Sequence, residues 1–204
     1  DVLTPYGWWQ HPAADTGATW AYTPVRFGQV RQPWGPGGAE MSVYDVNGDG
    51  LNDVVTSLAG HGWGLAWYEQ DQDAAGRRTF IEDMIMDDFS TKNAGGVTFS
   101  ELHGSTAADI DRDGVPDFIV GKRHWSHVES YSDPDPNGPA VLYWYRTVRN
   151  PGAPGGAEFV PTLIHNRSGV GSTVTAVDLN QDGALDILTA GTRGTFIFWG
   201  TQRR

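Results

Sequence analysis

Asp45-Val-Asn-Gly-Asp-Gly-Leu-Asn-Asp53 decides the fold, because the chain writes it three times. The other copies are Asp109-Ile-Asp-Arg-Asp-Gly-Val-Pro-Asp117 and Asp178-Leu-Asn-Gln-Asp-Gly-Ala-Leu-Asp186. Each sets oxygen donors at loop positions 1, 3, 5 and 9 and a glycine at position 6. A hard cation takes hard oxygen ligands, and a short loop that wraps one must turn sharply where the glycine stands. Position 7 (Leu51, Val115, Ala184) needs to offer only its backbone carbonyl, so its side chain is free to vary. A pattern repeated at matching places predicts a stack of similar units.

Outward from the loops, the same strands recur. Asp53-Val-Val-Thr, Asp117-Phe-Ile-Val and Asp186-Ile-Leu-Thr follow the last loop aspartate, and Asp1-Val-Leu-Thr4 opens the chain in the same way. Asp1 therefore reads as the last ligand of a fourth loop. An aromatic strand comes next: Tyr6-Gly-Trp-Trp-Gln10, Leu65-Ala-Trp-Tyr-Glu69, Leu142-Tyr-Trp-Tyr-Arg146 and Thr195-Phe-Ile-Phe-Trp199. A further strand follows over Trp20 to Phe27, Phe80 to Met86 and Phe159 to His165, with Phe80 and Met84-Ile85 at the same spacing as Phe159 and Leu163-Ile164. A small-residue strand precedes each loop, over Met41 to Tyr44, Ser105 to Ala108 and Thr173 to Val177.

Four strands per unit predict the blades of a β-propeller. With strands lettered A to D and the acidic loop joining A to B, the chain spells B-C-D, A-B-C-D, A-B-C-D and A-B-C. The expectation is an all-β, single domain over 1–204, with blade pieces at about 1–27, 40–86, 104–165 and 172–200. Two full and two incomplete blades imply a part of a larger propeller, or a subunit that borrows strands from another chain. The paired aromatics of strand C are expected to pack between blades rather than stack on sugar.

The resemblance is to the FG-GAP/VCBS repeat propellers, carried by the Asp-x-Asn-Gly-Asp-Gly-x-x-Asp strings and the aromatic third strand. It covers nearly the whole chain. It implies structural calcium at about three sites, held by Asp45, Asn47, Asp49 and Asp53; by Asp109, Asp111, Asp113 and Asp117; and by Asp178, Asn180, Asp182 and Asp186. Arg112 and Gln181 depart from the glycine at position 4, which bears no ligand. The family implies no single activity, since it includes adhesion modules, lectins and non-catalytic parts of enzymes.

Composition narrows the function. Net charge is −11, and ten of the 25 acidic residues lie in the three loops, so three bound Ca²⁺ would bring the total to −5. The acidity is metal-site charge, with no basic stripe for nucleic acid. No apolar run is long enough for membrane insertion as a helix. The absence of cysteine excludes disulfides and thiolate sites. Calcium loops favour a compartment rich in calcium, secreted or periplasmic.

A second set of residues falls on the opposite face. B–C and D–A connections emerge there, and they hold His61 and Trp63, Glu101 and His103, and Lys122, His124, Trp125 and His127. The longest loop, from about Arg123 to Pro139, belongs to the same face. Long loops on a rigid scaffold are where binding residues concentrate. These residues could bind a polar ligand or a transition metal, or be surface and capping groups too far apart to cooperate.

The reading is a recognition or scaffolding module for a glycan, a protein partner or a neighbouring domain. The alternatives are a propeller domain of a carbohydrate-active enzyme, with its site on the histidine face, and an assembly protein that pairs incomplete blades between chains.

Overall fold

The computed structural model describes residues 1–12, 17–28, 37, 40–125 and 133–202. The described residues form four antiparallel sheets in sequence order. The first holds β1 (Val2–Thr4), β2 (Gly7–Gln10) and β3 (Ala21–Pro24). The second holds β4 (Met41–Tyr44), β5 (Asp53–Ser57), β6 (Leu65–Gln72) and β7 (Arg78–Met86). The third holds β8 (Leu102–Ala108), β9 (Asp117–Lys122), β10 (Leu142–Arg149) and β11 (Ala157–His165). The fourth holds β12 (Val174–Val177), β13 (Asp186–Gly191) and β14 (Gly194–Phe198).

Within every sheet the strands pair in chain order, so each sheet is a meander: the all-β propeller blade expected from the repeat. Among the described residues the only helical turns are two short 3₁₀ segments, Ala94–Gly96 and Pro154–Gly156. None of the described helices is long and apolar enough to cross a membrane.

The core lies between blades rather than in one place. Adjacent residues of a strand point to opposite faces. Val54 accordingly joins Trp8, Phe27 and Tyr68 between the first two sheets, while Val55 joins Phe118, Tyr145 and Phe159 between the second and third. Phe118 faces the second sheet, and its neighbour Ile119 packs with Val174 and Ile187 of the fourth. The B strands β5 and β9 are buried at every position because both of their faces are covered. Their continuous apolar runs follow from that.

Of the strand-C aromatics, Trp8 and Trp67 wedge neighbouring blades together, whereas Trp9 and Trp199 stand exposed. Trp8 meets Phe80 of the second sheet edge-on at 5.4 Å, and Trp67 lies 6.1 Å from Phe159 of the third. The inner strand β8 contacts both β4 and β12, so the three A strands line a common axis. The acidic loops leave one end of these strands, and the B–C turns close the other.

Candidate functional site

The three acidic loops fold alike. The first residue of each gathers backbone N–H groups from its own turn: Asp45 Oδ1 accepts from Gly48 at 2.7 Å and Asp45 Oδ2 from Gly50 at 3.2 Å. Asp109 accepts from Asp113 at 3.1 Å and Gly114 at 3.0 Å, and Asp178 from Asp182 at 3.1 Å and Gly183 at 2.8 Å. Position 5 then accepts from position 7, through Asp49, Asp113 and Asp182. The backbone has positive φ at position 6 in all three, at Gly50, Gly114 and Gly183. Position 4 is left-handed too, at Gly48, Arg112 and Gln181, with φ of 88°, 64° and 61°. The glycine of the first loop therefore answers a conformational need that the arginine and glutamine meet under strain.

In the second loop one carboxylate oxygen each from Asp109, Asp111 and Asp113 lies within 4.8 Å of the others. Asp111 Oδ1 is buried and accepts no hydrogen bond. Three converging carboxylates, one with an orphaned oxygen, are a donor set that suits a hard divalent cation.

Position 9 has a different environment. Asp53, Asp117 and Asp186 are fully buried. One oxygen of each accepts the N–H of loop position 2 (Val46, Ile110, Leu179), and the other reaches strand C or the residues just after it (Gln70, Thr147, Gly200). Burial raises the carboxyls of Asp53 and Asp117 despite these bonds, that of Asp117 to about 6.

On the opposite face His61, from the β5–β6 turn, meets Glu101 and His103, from the start of β8. Their ligand atoms lie within 4.8 Å of one another. His61 Nδ1 is 3.3 Å from Glu101 Oε2, and His103 Nδ1 is 3.8 Å from the same oxygen. Burial, with a smaller contribution from Arg123, holds the His61 imidazole below its usual range.

The family model of the FG-GAP-like repeat matches residues 45–120, from the first ligand position of the first loop to the middle of β9. The chain carries an FG-GAP-like repeat. No curated protein matches it. The third loop and its strands lie beyond the matched segment and repeat the hydrogen bonds that the second loop makes within it. The first sheet adds a fourth instance, since Asp1 Oδ1 accepts the His11 N–H at 2.8 Å as position 9 does elsewhere.

The other residues singled out on the histidine face do not join His61 and His103. Lys122 is fully buried, its Nζ bonded to Ser100 at 2.6 Å and to both oxygens of Asp133 at 3.2 Å. It is a structural cation in the interior, not a surface ligand group. The His124 carbonyl accepts a hydrogen bond from Thr192 of the fourth sheet, and Trp125 stands half exposed beside it. Trp63 packs edge-on against Phe89 at 5.0 Å. His127 lies outside the described residues. Glu101 completes the cluster; its place two residues before His103 was visible in the sequence, its aim was not.

Proposed function

We propose that this chain is a calcium-stabilised β-propeller module for extracellular recognition or scaffolding, holding a glycan, a protein partner or a neighbouring domain. The observation that carries the calcium reading is the convergence of Asp109, Asp111 and Asp113 with the orphaned Asp111 Oδ1 among them. The same turn recurs at Asp45–Asp53 and Asp178–Asp186, where Asn47 and Asn180 supply a neutral oxygen at position 3. Asp45, Asn47 and Asp49, and Asp178, Asn180 and Asp182, would hold the ions there. Leu51, Val115 and Ala184 would add carbonyls, and Asp53, Asp117 and Asp186 a further oxygen.

The role is stabilising rather than sensory. Each loop joins two strands of one blade and has no helix pair to open. A site with a dissociation constant of ~10⁻⁵–10⁻⁴ M in ~1 mM calcium contributes roughly 1.4–2.7 kcal/mol, so three contribute about 4–8 kcal/mol. Calorimetric titration should find three calcium ions per chain, and chelation should lower the melting temperature sharply. A melting curve indifferent to chelator and to added calcium defeats the reading.

A further inference from the structure

We propose that His61, Glu101 and His103 form a second metal site, unlike the acidic loops: two imidazoles and one carboxylate for a divalent transition metal of the zinc class. A remaining coordination position would face water or an oxygen-donor ligand.

The distances fit the class. Zinc bonds of 2.0–2.1 Å set tetrahedral ligands roughly 3.3–3.4 Å apart. His61 Nδ1 and Glu101 Oε2 already stand at 3.3 Å, and His103 Nδ1, at 3.8 Å, needs to close by only a few tenths of an ångström. The two rings cross at 74° with centroids 4.5 Å apart, both aimed at one carboxylate oxygen. Nitrogen donors select against calcium, which takes oxygen ligands, and suit zinc and its neighbours. The side chains of Glu101 and His103 are 1% and 7% exposed, whereas that of His61 is 23% exposed, so the cluster is approached from the His61 side.

The backbone holds this arrangement at a conformational cost. Glu101 is a non-glycine residue at φ 61°. Its N–H donates to Gly62 in the second sheet's turn, and its carbonyl accepts from Arg123 in the third sheet's, both at 2.8 Å. The residue thus rivets two blades at the point where their histidines meet. His103 sits where β8 slips register against β9, between Leu102 and Ser105. Such irregularities re-aim side chains beside functional sites, and strained backbone gathers there too. One residue before Glu101, Ser100 is clamped by Lys122 and Asp133.

The test uses the full chain saturated with calcium, so that the acidic loops are occupied. Zinc ion alone is titrated by calorimetry, and cobalt(II) by its visible absorption. The expected result is one zinc per chain and cobalt bands typical of nitrogen and oxygen ligands. Affinity should fall more than about 100-fold in H61A and H103A, beyond the loss typical of an outer-shell substitution. H11A, which removes an exposed imidazole from the first sheet, should leave zinc binding unchanged. E101Q should behave like the histidine variants; if it fails to fold, H61A carries the test, because its side chain is partly exposed and its fold is checked by its calcium-dependent melting. A wild type that takes up no zinc overturns the proposal, as does uptake undiminished in H61A.

Discussion

Asp117 Oδ1 accepts the backbone N–H of Thr147 at 3.0 Å, thirty residues further along the chain. Its other oxygen accepts Ile110 N–H in its own loop at 3.1 Å. One buried carboxylate thus ties the loop to itself and to strand β10. Asp53 does the same with Val46 and Gln70, and Asp186 with Leu179 and Gly200. The ninth loop position is a carboxylate fixed at the start of strand B that joins its own loop to strand C without any cation.

Replacing Asp117 by alanine should therefore destabilise the protein with or without calcium. Two buried N–H groups lose a charged acceptor, and hydrogen bonds to charged groups are worth about 1.5–3 kcal/mol each. A loss of roughly 3 kcal/mol or more is expected in urea unfolding, in chelator as well as in calcium. Asp113→Ala, at the exposed fifth position, should lose stability chiefly when calcium is present. Equal losses for the two variants in chelator contradict this division of labour.

The raised carboxyl of Asp117 gives a pH dependence of defined sign. Its folded-state value is about 6, against an ordinary 3.8, because burial disfavours the charged form. The contribution is fully present below pH 3.8 and is lost as pH rises through 6. Asp53 is shifted in the same direction for the same reason. In chelator, the melting temperature should rise as pH is lowered from 7 towards 5, and the slope should shrink in Asp117→Asn. Calcium should abolish the rise, because a bound cation favours the ionised carboxylates. A chelated protein that loses stability steadily over this range speaks against it.

Much of the fold was legible because one feature, the loop aspartate, marks the same structural point in every blade. Counting outward from it gives β4 at Met41–Tyr44 to the residue. The shared spacing of Phe80 with Met84-Ile85 and Phe159 with Leu163-Ile164 proves to be one structural irregularity used twice, since β6 slips register opposite Met84–Met86 and β10 opposite Leu163–His165. The histidine face was legible only by halves. Topology placed His61 and His103 at the same end of neighbouring blades. Their meeting depends on the register slip at His103 and the left-handed turn at Glu101, which no periodicity announces. Lys122 was misleading because a lysine beside a loop reads as exposed, and its partners lie at a distance along the chain, Ser100 before β8 and Asp133 deep in the long β9–β10 loop.

Gln181 sits at the fourth position of the third loop with φ 61°, a conformation that costs an L-residue about 1–2 kcal/mol. The first loop has glycine there. Gln181→Gly should stabilise the protein by roughly 0.5–1 kcal/mol, the relieved strain less the chain entropy that glycine adds to the unfolded state. Gly114→Ala, at φ 90° in the second loop, should do the reverse. Thermal unfolding of both variants in saturating calcium separates this effect from metal affinity, and a destabilised Gln181→Gly would show that the glutamine side chain earns its place by contacts instead.

Lys122 supplies the last expectation. With both oxygens of Asp133 at 3.2 Å and Ser100 Oγ at 2.6 Å, its ammonium is enclosed by partners and sealed from water. Lys122→Met keeps the length of the side chain but leaves Asp133 buried without its cation, a change that costs about 3–5 kcal/mol when one partner of a buried pair is removed. Lys122→Met combined with Asp133→Asn should recover a large part of that loss, because the desolvated charge disappears with its partner. A lysine that served a ligand from the surface would behave otherwise: the single variant would melt like the parent, and the second substitution would rescue nothing. Equilibrium unfolding of the two singles and the double distinguishes the cases, and zinc titration of the double variant should stay close to the parent's if the ion pair only supports Ser100 beneath Glu101.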